Sequence, residues 1–356
     1  MDTPAPLFRA LATSTRPIYQ LLRCISFSNK VHVEISGDGI KFIADNARVM
    51  QEESTGMASL GKSLFASFSL NLPKPGGRNG DDGDEDDSDP LPATFQISLP
   101  ALLEAIQIFG VTDAPSGRQS KSDPDTYRSN MRTADAFSHQ ILGMPGTCCL
   151  SYPEEGAPFG IILEEASVKT TCNLATYVPE SLEAIPFDRD DLLFKIIMQP
   201  RWLLDALVEL APSSPNLLTI AVTQREPYLR LSSHGPLGSS SVDFSRGRSL
   251  FESIWVGERW AQSYKFDMIK SATEAMRIAS KVSIRGDRQG VLSLQFMVEM
   301  DHAGGGMGTG AGSIGVAGGM QWLHFTFVPY ITDEEDDPEA EGVEEAEEGD
   351  DEDDEL

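Results

Sequence analysis

The sequence of 356 residues has no apolar run that approaches the roughly 20 residues of a membrane-spanning helix. Its first residues, Met1–Pro4, also lack the charged and then apolar pattern of a secretory signal peptide. We therefore expect a soluble, unsecreted protein with no membrane partner. The length predicts two domains, and a hydrophobic content of 40% is sufficient for two ordinary cores.

Cysteine is scarce, and its spacing does not match a zinc site. The sequence has no CxxC pair and no histidine run near its four cysteines, which are Cys24, Cys148, Cys149 and Cys172. Cys148 and Cys149 are adjacent in a predicted strand and would point to opposite faces, so we expect no bond between them. The pattern favours buried, reduced thiols in an intracellular protein, and no metal.

A converging set of catalytic side chains is also missing. The five histidines form no HxxxH pattern and are scattered at His32, His139, His234, His302 and His324. Adjacent acids such as Glu164 and Glu165 alternate across a strand and do not give paired metal-binding carboxylates. The stretch Gly304–Gly319 contains no lysine, so we interpret it as a flexible connector rather than a phosphate-binding loop. These absences favour a non-enzymatic protein with no catalytic residues and no cofactor.

Basic residues are missing from two acidic segments that hold most of the net charge of −27. The segment Asp333–Glu355 carries 17 acids, and Asp81–Asp89 carries seven more. Without them, 31 acids remain against 28 bases, so the rest of the chain is almost neutral. Blocks of like charge repel themselves and cannot build a core, and we expect both segments to be disordered.

What the sequence does contain is one pattern repeated four times: a strand, an amphipathic helix of about ten residues, then further strands. In the first copy, Ile18, Leu21, Leu22 and Ile25 share one helical face. The four predicted helices are Pro17–Ile25, Pro100–Phe109, Arg201–Leu210 and Met268–Ala279. The repetition predicts an α+β fold of two similar domains, each with two strand-helix-strand units and with its helices on one face of a continuous sheet.

Composition divides the chain further. We predict an N-terminal domain over 1–174, interrupted by a disordered acidic loop at about 73–93 and a polar insertion at about 111–140. Residues 175–191 contain two prolines and show neither the helical nor the strand spacing of apolar residues, so we predict that they form the interdomain connector. A C-terminal domain over 192–331, with a glycine-rich loop at 303–319, precedes the acidic tail, 332–356.

Basic side chains lie on the polar faces of three predicted helices. The first helix carries Arg16 and Arg23, the third carries Arg201, and the second has no base. The fourth carries a stripe that we assign to Lys270, Arg277 and Lys281. On one helix such a stripe is usually a solvated face. Several such helices on one side of a nearly neutral body favour sequence-independent phosphate contacts. No aromatic residues interleave with these bases, so stacking on single strands is not supported.

Several segments carry a resemblance to a known family, namely Gly39–Phe42, Asp45–Arg48, Leu102–Gly110, Glu226–Ser232, Lys281–Arg285 and Gly290–Phe296. With the repeat, they resemble the DNA sliding clamps, such as proliferating cell nuclear antigen. The closer resemblance is to the family of the Rad-one subunit of the heterotrimeric DNA-damage checkpoint clamp, the nine-one-one complex. It covers roughly residues 7–331 outside the insertions, which depart from the compact family pattern.

The resemblance implies a non-catalytic subunit of a ring that encircles duplex DNA at damage sites in the nucleus and holds checkpoint signalling and repair proteins there. The implied partners are two related clamp subunits (Rad-nine-type and Hus-one-type), a checkpoint clamp loader, and duplex DNA bound without sequence preference. The helices would line the hole, so the bases named above would face the DNA.

The resemblance also implies two kinds of docking surface. Ring subunits join through exposed edge strands, here expected at Val168, Thr170 and Cys172 in one domain and at Ser240, Val242 and Phe244 in the other. Partner peptides dock beneath the connector, in a groove that would be formed by Tyr177, Val178, Ile185, Pro329, Tyr330 and Ile331.

Two alternatives stay open at this point. A homotrimeric processivity clamp of the replication type would share the fold, but its own two edges would have to complement each other. A 3′–5′ DNA exonuclease would need a metal-dependent site, for which we find no residues.

Overall fold

The computed structural model describes residues 5–46, 53–72, 92–108, 147–165, 168–179, 185–245, 247, 250–300 and 319–331. The predictions for the polar insertion and the acidic tail lie outside these residues. The same holds for the acidic loop and the glycine-rich loop, apart from residues 92, 93 and 319.

The first half of the chain contains nine strands and two helices among the described residues. The strands are β1 (Phe8–Ala12), β2 (Lys30–Ser36), β3 (Gly39–Asp45), β4 (Ser54–Gly61), β5 (Ser67–Leu70), β6 (Ala93–Ser98), β7 (Thr147–Tyr152), β8 (Phe159–Glu165) and β9 (Val168–Leu174). The helices are α1 (Arg16–Arg23) and α2 (Leu99–Gln107).

The second half has nine strands and three helices among its described residues. Its strands are β10 (Leu192–Met198), β11 (Leu217–Val222), β12 (Leu229–Gly235), β13 (Gly238–Phe244), β14 (Phe251–Val256), β15 (Trp260–Lys265), β16 (Lys281–Asp287), β17 (Leu292–Glu299) and β18 (Met320–Phe327). Its helices are α3 (Pro200–Leu210), α4 (Phe266–Lys270) and α5 (Thr273–Ile278). Short 3₁₀ turns follow β4 and α3, at Lys62–Leu64 and Ala211–Ser213.

Three of the helices begin in the same way. Pro17, Pro100 and Pro200 occupy the first turns of α1, α2 and α3, where proline removes no intrahelical hydrogen bond. Ser98 caps α2, because its hydroxyl accepts from the Ala101 amide at 3.4 Å. The predicted fourth helix is wrong as one continuous element. It is divided into α4 and α5, and it ends at Ile278.

The strands form three sheets. A five-stranded sheet of the first half has the order β5-β1-β7-β8-β9, and a four-stranded sheet of the second half has the order β13-β12-β11-β15. The third sheet has nine strands in the order β14-β10-β16-β17-β18-β4-β3-β2-β6, so it takes five strands from the second half and four from the first. The predicted continuity of the sheet is therefore found in this third sheet.

The two halves join where β18 pairs with β4. The strands are antiparallel, with Leu323 opposite Ala58 and Phe325 opposite Gly56. Phe325 is fully buried, and its ring contacts Phe27 of the first half and Phe296 of the second at centroid distances of 6.4 and 5.8 Å. A side chain at Gly56 would meet the Phe27 ring at 2.8 Å, so only glycine permits this approach. The seam is thus both a hydrogen-bonded ladder and an aromatic core.

The helices pack against the nine-stranded sheet, with α1 on β4, α2 on β2 and β6, and α5 on β17. α2 and α3 also contact the five-stranded and the four-stranded sheet, respectively. Leu203 of α3 and Ile269 of α4 line a small apolar cavity together with Ile284 and Leu294 of the sheet. Because side chains alternate along a strand, the neighbours of these sheet residues point to the opposite, outer face. Within the part of the chain that the structure describes, none of the helices has the length and hydrophobicity needed to cross a bilayer.

We predict that Phe325→Ala destabilises the protein by about 3–5 kcal/mol, because it leaves a cavity at the junction of the two halves. The matched control is Trp322→Ala on the same strand, since that ring is 40% exposed on the outer face. Chemical denaturation of both variants should give a much larger loss for Phe325→Ala. Equal losses would contradict a seam held by the aromatic core.

Candidate functional site

The helices form a layer in the order α2, α1, α5, α3. α1 packs against α2, and α5 packs against α3. Arg23 of α1 reaches Glu274 of α5 across the junction of the two halves, with Nε and Oε2 at 3.8 Å. One helical surface therefore extends over both halves.

Five of the six predicted DNA-facing bases lie exposed in this layer, at Arg16, Arg23, Arg201, Lys270 and Arg277. Acids accompany them closely. Glu274 pairs with Arg277 at 3.1 Å as well as with Arg23, and Arg201 pairs with Asp205 at 3.6 Å. Over the described helices, five bases face five acids, which are Glu104, Asp205, Glu209, Asp267 and Glu274. The layer is electrically balanced, and only weak, sequence-independent phosphate contact is expected from it.

The prediction for Lys281 is wrong in its location. This residue is not on a helix, because Ala279 is already extended and Lys281 begins β16. Val282, next to it, is buried in the core, so Lys281 points to the outer face, away from the helices. Its ammonium pairs with Glu252 of β14 at 2.7 Å. Lys281 therefore does not belong with the helical bases.

The two predicted docking strands lie at the ends of their sheets. β9 is the last strand of the five-stranded sheet and β13 the last of the four-stranded sheet. On β9, Val168 is exposed, while Thr170 and Cys172 are half-buried. On β13, Ser240 is exposed, Val242 is half-buried and Phe244 is buried. Each strand therefore offers an unpaired backbone edge within the described chain.

The residues of the predicted peptide groove occupy two places. Tyr177 bridges to Gln96 of β6, at the far edge of the nine-stranded sheet, with N–O distances of 2.9 and 3.0 Å. Val178 next to it is exposed. Tyr330 instead donates its amide to the Ser263 carbonyl of β15 at 2.7 Å, and Pro329 packs at Gly290. Ile331 is exposed, and Ile185 is half-buried. β6 is the edge strand of the nine-stranded sheet and β18 is its central strand, four strands away, so the two groups are well separated.

A cleft that the sequence did not predict lies beside Tyr330. It has a volume of about 810 Å³, including its open mouth, and both halves of the chain line it. Lys265 joins the cleft to Tyr330, because its ammonium lies 4.5 Å from the centre of that ring. Ser54 also lines the cleft, is 2% exposed and has a hydroxyl without a hydrogen-bond partner. The other lining residues are Phe27, Asn46, Pro215, Asn216, Asp267, Met268 and Ser271. Such a cleft can hold a polar side chain of a partner.

The end of the connector covers a second group on the outer face. The amide of Asp188 donates to the Asp287 carboxylate at 3.1 Å, and Phe187 lies 5.5 Å from the Arg285 guanidinium. Behind them, Ser293 hydrogen-bonds the His324 ring at 2.8 Å. Burial, followed by the charges of Arg285 and Arg189, lowers the pKa of His324 to about 4. His324 is therefore a neutral packed residue at ordinary pH.

Within the described residues, no group of three or more His, Cys, Asp or Glu side chains is arranged to hold a metal ion. Burial raises the pKa of Cys24 and of Cys148 to about 12, so these thiols stay protonated and are poor nucleophiles.

Comparison with known proteins bears on these surfaces. The family model described as repair protein Rad1/Rec1/Rad17 matches residues 7–298. The DNA damage checkpoint control protein rad1 of Schizosaccharomyces pombe is 30% identical over 294 residues, which cover 82% of this chain and 81% of that protein. The cell cycle checkpoint protein RAD1 of Homo sapiens is 28% identical over 288 residues, or 80% and 83% of the two chains. A relative named DNA repair exonuclease REC1, of Mycosarcoma maydis, is 24% identical over 220 residues, or 53% and 46%.

The fold also matches solved structures. The PCNA2–PCNA3 complex from Sulfolobus tokodaii aligns with a TM-score of 0.59 at 12% identity, covering 90% of this chain and 98% of that chain. The PCNA of Entamoeba histolytica gives the same TM-score at 14% identity. The sliding-clamp fold that the family resemblance implies is thereby confirmed.

We predict that His324→Gln removes part of the pH dependence of stability. The unfolded chain binds a proton at His324 near pH 6.5, whereas the folded chain resists it down to about pH 4. The free energy of unfolding of the natural protein should therefore fall as the pH drops from 7 to 5, by roughly 2 kcal/mol from this group. Urea denaturation at both pH values measures the loss, and the variant should lose less.

The control for this experiment is His234→Gln, because His234 is exposed on β12. It should behave as the natural protein does. A His324 variant with an unaltered pH profile would show that the ring is not held neutral.

Proposed function

Because this chain belongs to the Rad1/Rec1/Rad17 family of repair proteins, we propose that it is one subunit of a heterotrimeric checkpoint clamp that encircles duplex DNA at damage sites. Two related but different subunits, of the Rad-nine and Hus-one types, complete the ring, and a checkpoint clamp loader places it on DNA. The ring acts in the nucleus, where it holds signalling and repair proteins at the damage. The chain itself is non-catalytic.

The observation that carries the proposal is the combination of one helical layer over both halves with two unlike free edges. A ring needs a heterologous contact that closes after a fixed number of subunits. β9 and β13 lie at the outer ends of two different sheets, which suits head-to-tail pairing with neighbours on either side. The balanced helical layer suits a ring that slides, because enclosure rather than charge keeps the DNA in place.

Partner proteins dock on two surfaces of the chain in this proposal. The cleft beside Tyr330 provides an ammonium at Lys265, a carboxylate at Asp267 and the unpaired hydroxyl of Ser54. These groups suit a short peptide that inserts a polar side chain. Tyr177 and Val178 offer a separate apolar contact near β6.

Two other functions are weighed against this one. A homotrimeric processivity clamp would use the same fold with self-complementary edges. A 3′–5′ exonuclease is favoured by one observation, the name of the REC1 relative. It predicts metal-dependent DNA degradation that copurifies with the chain through successive columns and stops after a single carboxylate substitution. Activity that separates from the chain during purification would reject it.

We predict that edge substitutions break the ring one contact at a time. Thr170→Arg on β9 and Ser240→Arg on β13 each place a charged side chain on one free edge. Each variant should lose at least tenfold in affinity for one partner subunit and keep its affinity for the other, measured in pairwise mixtures by size exclusion and light scattering.

The matched control is Ser69→Arg on β5, which is exposed at the other edge of the five-stranded sheet. It should leave both pairwise complexes intact. Loss of both partners by either edge variant, with the fold retained, would argue against two independent contacts.

We also predict a small electrostatic contribution to DNA binding. Arg16 and Lys270 form no ion pair with any described residue, so they are the bases most available to phosphates. The double variant Arg16→Gln, Lys270→Gln in the assembled ring should reduce the slope of log affinity against log salt by about 1–2. The control is Arg225→Gln in the exposed turn before β12. An unchanged slope in the double variant would contradict contact between DNA and this helical layer.

A further inference from the structure

A cluster of basic residues lies on the outer face of the second half, on the side away from the helices. Arg285 of β16 stands directly opposite Lys195 of β10, and both point outward. Arg189 of the connector is close enough to act on Arg285 and on His324 electrostatically. We call Arg189, Lys195 and Arg285 the outer basic cluster.

Two hydrogen-bond donors in this place have no partner. The Nε atom of Arg285 and the hydroxyl of Ser283 are both buried and unpaired. The two residues are two positions apart on β16, so their side chains lie on the same face. One terminal nitrogen of Arg285 does find a partner, donating to the Ser293 hydroxyl at 3.1 Å. A buried donor without an acceptor lowers the stability of the folded state, and here one such donor belongs to the Arg285 cation and the other lies beside it.

The cluster also lacks a counter-ion among the described residues. Arg288, three positions further on, pairs with Asp191 at 3.0 Å and with Glu258 at 3.4 Å. No such carboxylate pairs with Arg285. Burial and the charge of Arg189 lower the pKa of the Arg285 guanidinium, which agrees with an uncompensated positive field. Unpaired donors and unbalanced charge in one place suit an anionic ligand rich in acceptor oxygens.

The chain itself carries a segment of that chemistry. Residues 333–355 hold 17 acids and no base. The last described residues before it lie near the outer basic cluster, because Pro329 packs at Gly290, in the turn between β16 and β17. Ile331, two residues later, is 65% exposed. Arg285 lies five positions before Gly290, at most about 17 Å along an extended strand. An extended chain that begins at Pro329 spans about 14 Å at Asp333 and about 28 Å at Asp337, so the first acids of the segment suffice to cover that distance.

We propose that the acidic C-terminal segment docks in cis on the outer basic cluster, with its carboxylates accepting from Arg285, Ser283 and Arg189. Docked there, it shields this face from DNA phosphates and leaves only the inner, balanced surface for DNA. An acidic segment of another protein must displace it to reach the same place.

Zero-length cross-linking of the full chain with a carbodiimide tests the proposal, because the reagent joins carboxylates to lysine amines in direct contact. Lys195 is the reporter, since it lies beside Arg285 in the sheet. Lys265 is the internal standard. Its ammonium lies over the ring of Tyr330, just before the acidic segment, so it can be linked to that segment whether or not the segment docks on the cluster. Peptide mass spectrometry on a mixture of ¹⁴N and ¹⁵N chains separates links within one chain from links between chains.

We expect links from the tail to Lys195 within one chain. Their ratio to the Lys265 links should fall at least fivefold in Arg285→Gln. Arg189→Gln should lower the ratio to the same extent. Because Arg189 is exposed, this second variant shows that the fall does not arise from misfolding of Arg285→Gln. Arg225→Gln is the matched control and should leave the ratio unchanged. Three outcomes would each overturn the proposal. They are the absence of Lys195 links, Lys195 links between different chains, and a ratio that is unchanged in both cluster variants.

Discussion

The pairing of β4 with β18 is the contact on which the other surfaces depend. It turns two repeated halves into one nine-stranded sheet, and Phe325 fills the space behind the ladder between Phe27 and Phe296. Only then do α1 and α5 meet, through Arg23 and Glu274. The free edges at β9 and β13 lie in the two smaller sheets, one in each half, so their relative position also depends on this pairing. A ring subunit needs that rigidity, since a hinge at the seam would change the angle between its two neighbours.

The distribution of charge follows a consistent physical logic. The helical layer holds as many acids as bases, and most of its bases are already paired. Such a surface binds phosphates weakly and releases them readily, which is what a sliding ring needs. The chain instead carries its excess charge in acidic segments, while the outer face retains a basic cluster around Arg285. In the proposed ring, enclosure supplies persistence on DNA, and the charge on each face determines which face the DNA meets.

Sequence reasoning recovered the elements that have a local signature. Helices with proline in the first turn and strands with large alternating side chains were predicted, and so was the sliding-clamp fold. β4 has a weak sequence signature, because the buried face of that strand presents the small residues Ser54, Gly56 and Ala58 and gives little hydrophobic contrast. The same holds for β14, whose residues are exposed or half-buried. Sequence reasoning misplaced Lys281, because the helical spacing of Lys270, Glu274, Arg277 and Lys281 continues past the point where the backbone becomes extended. The cleft beside Tyr330 has no sequence signature, because its residues come from separate elements that only tertiary pairing brings together.

The central claim is that this chain closes a ring with two different partners rather than with itself. Its most direct test is the mass in solution, by light scattering after size exclusion, of the chain alone and of its mixture with the two partner subunits. The account predicts a monomer alone and a 1:1:1 complex in the mixture. A trimer of the chain alone, or a monomer that binds neither partner, would contradict it.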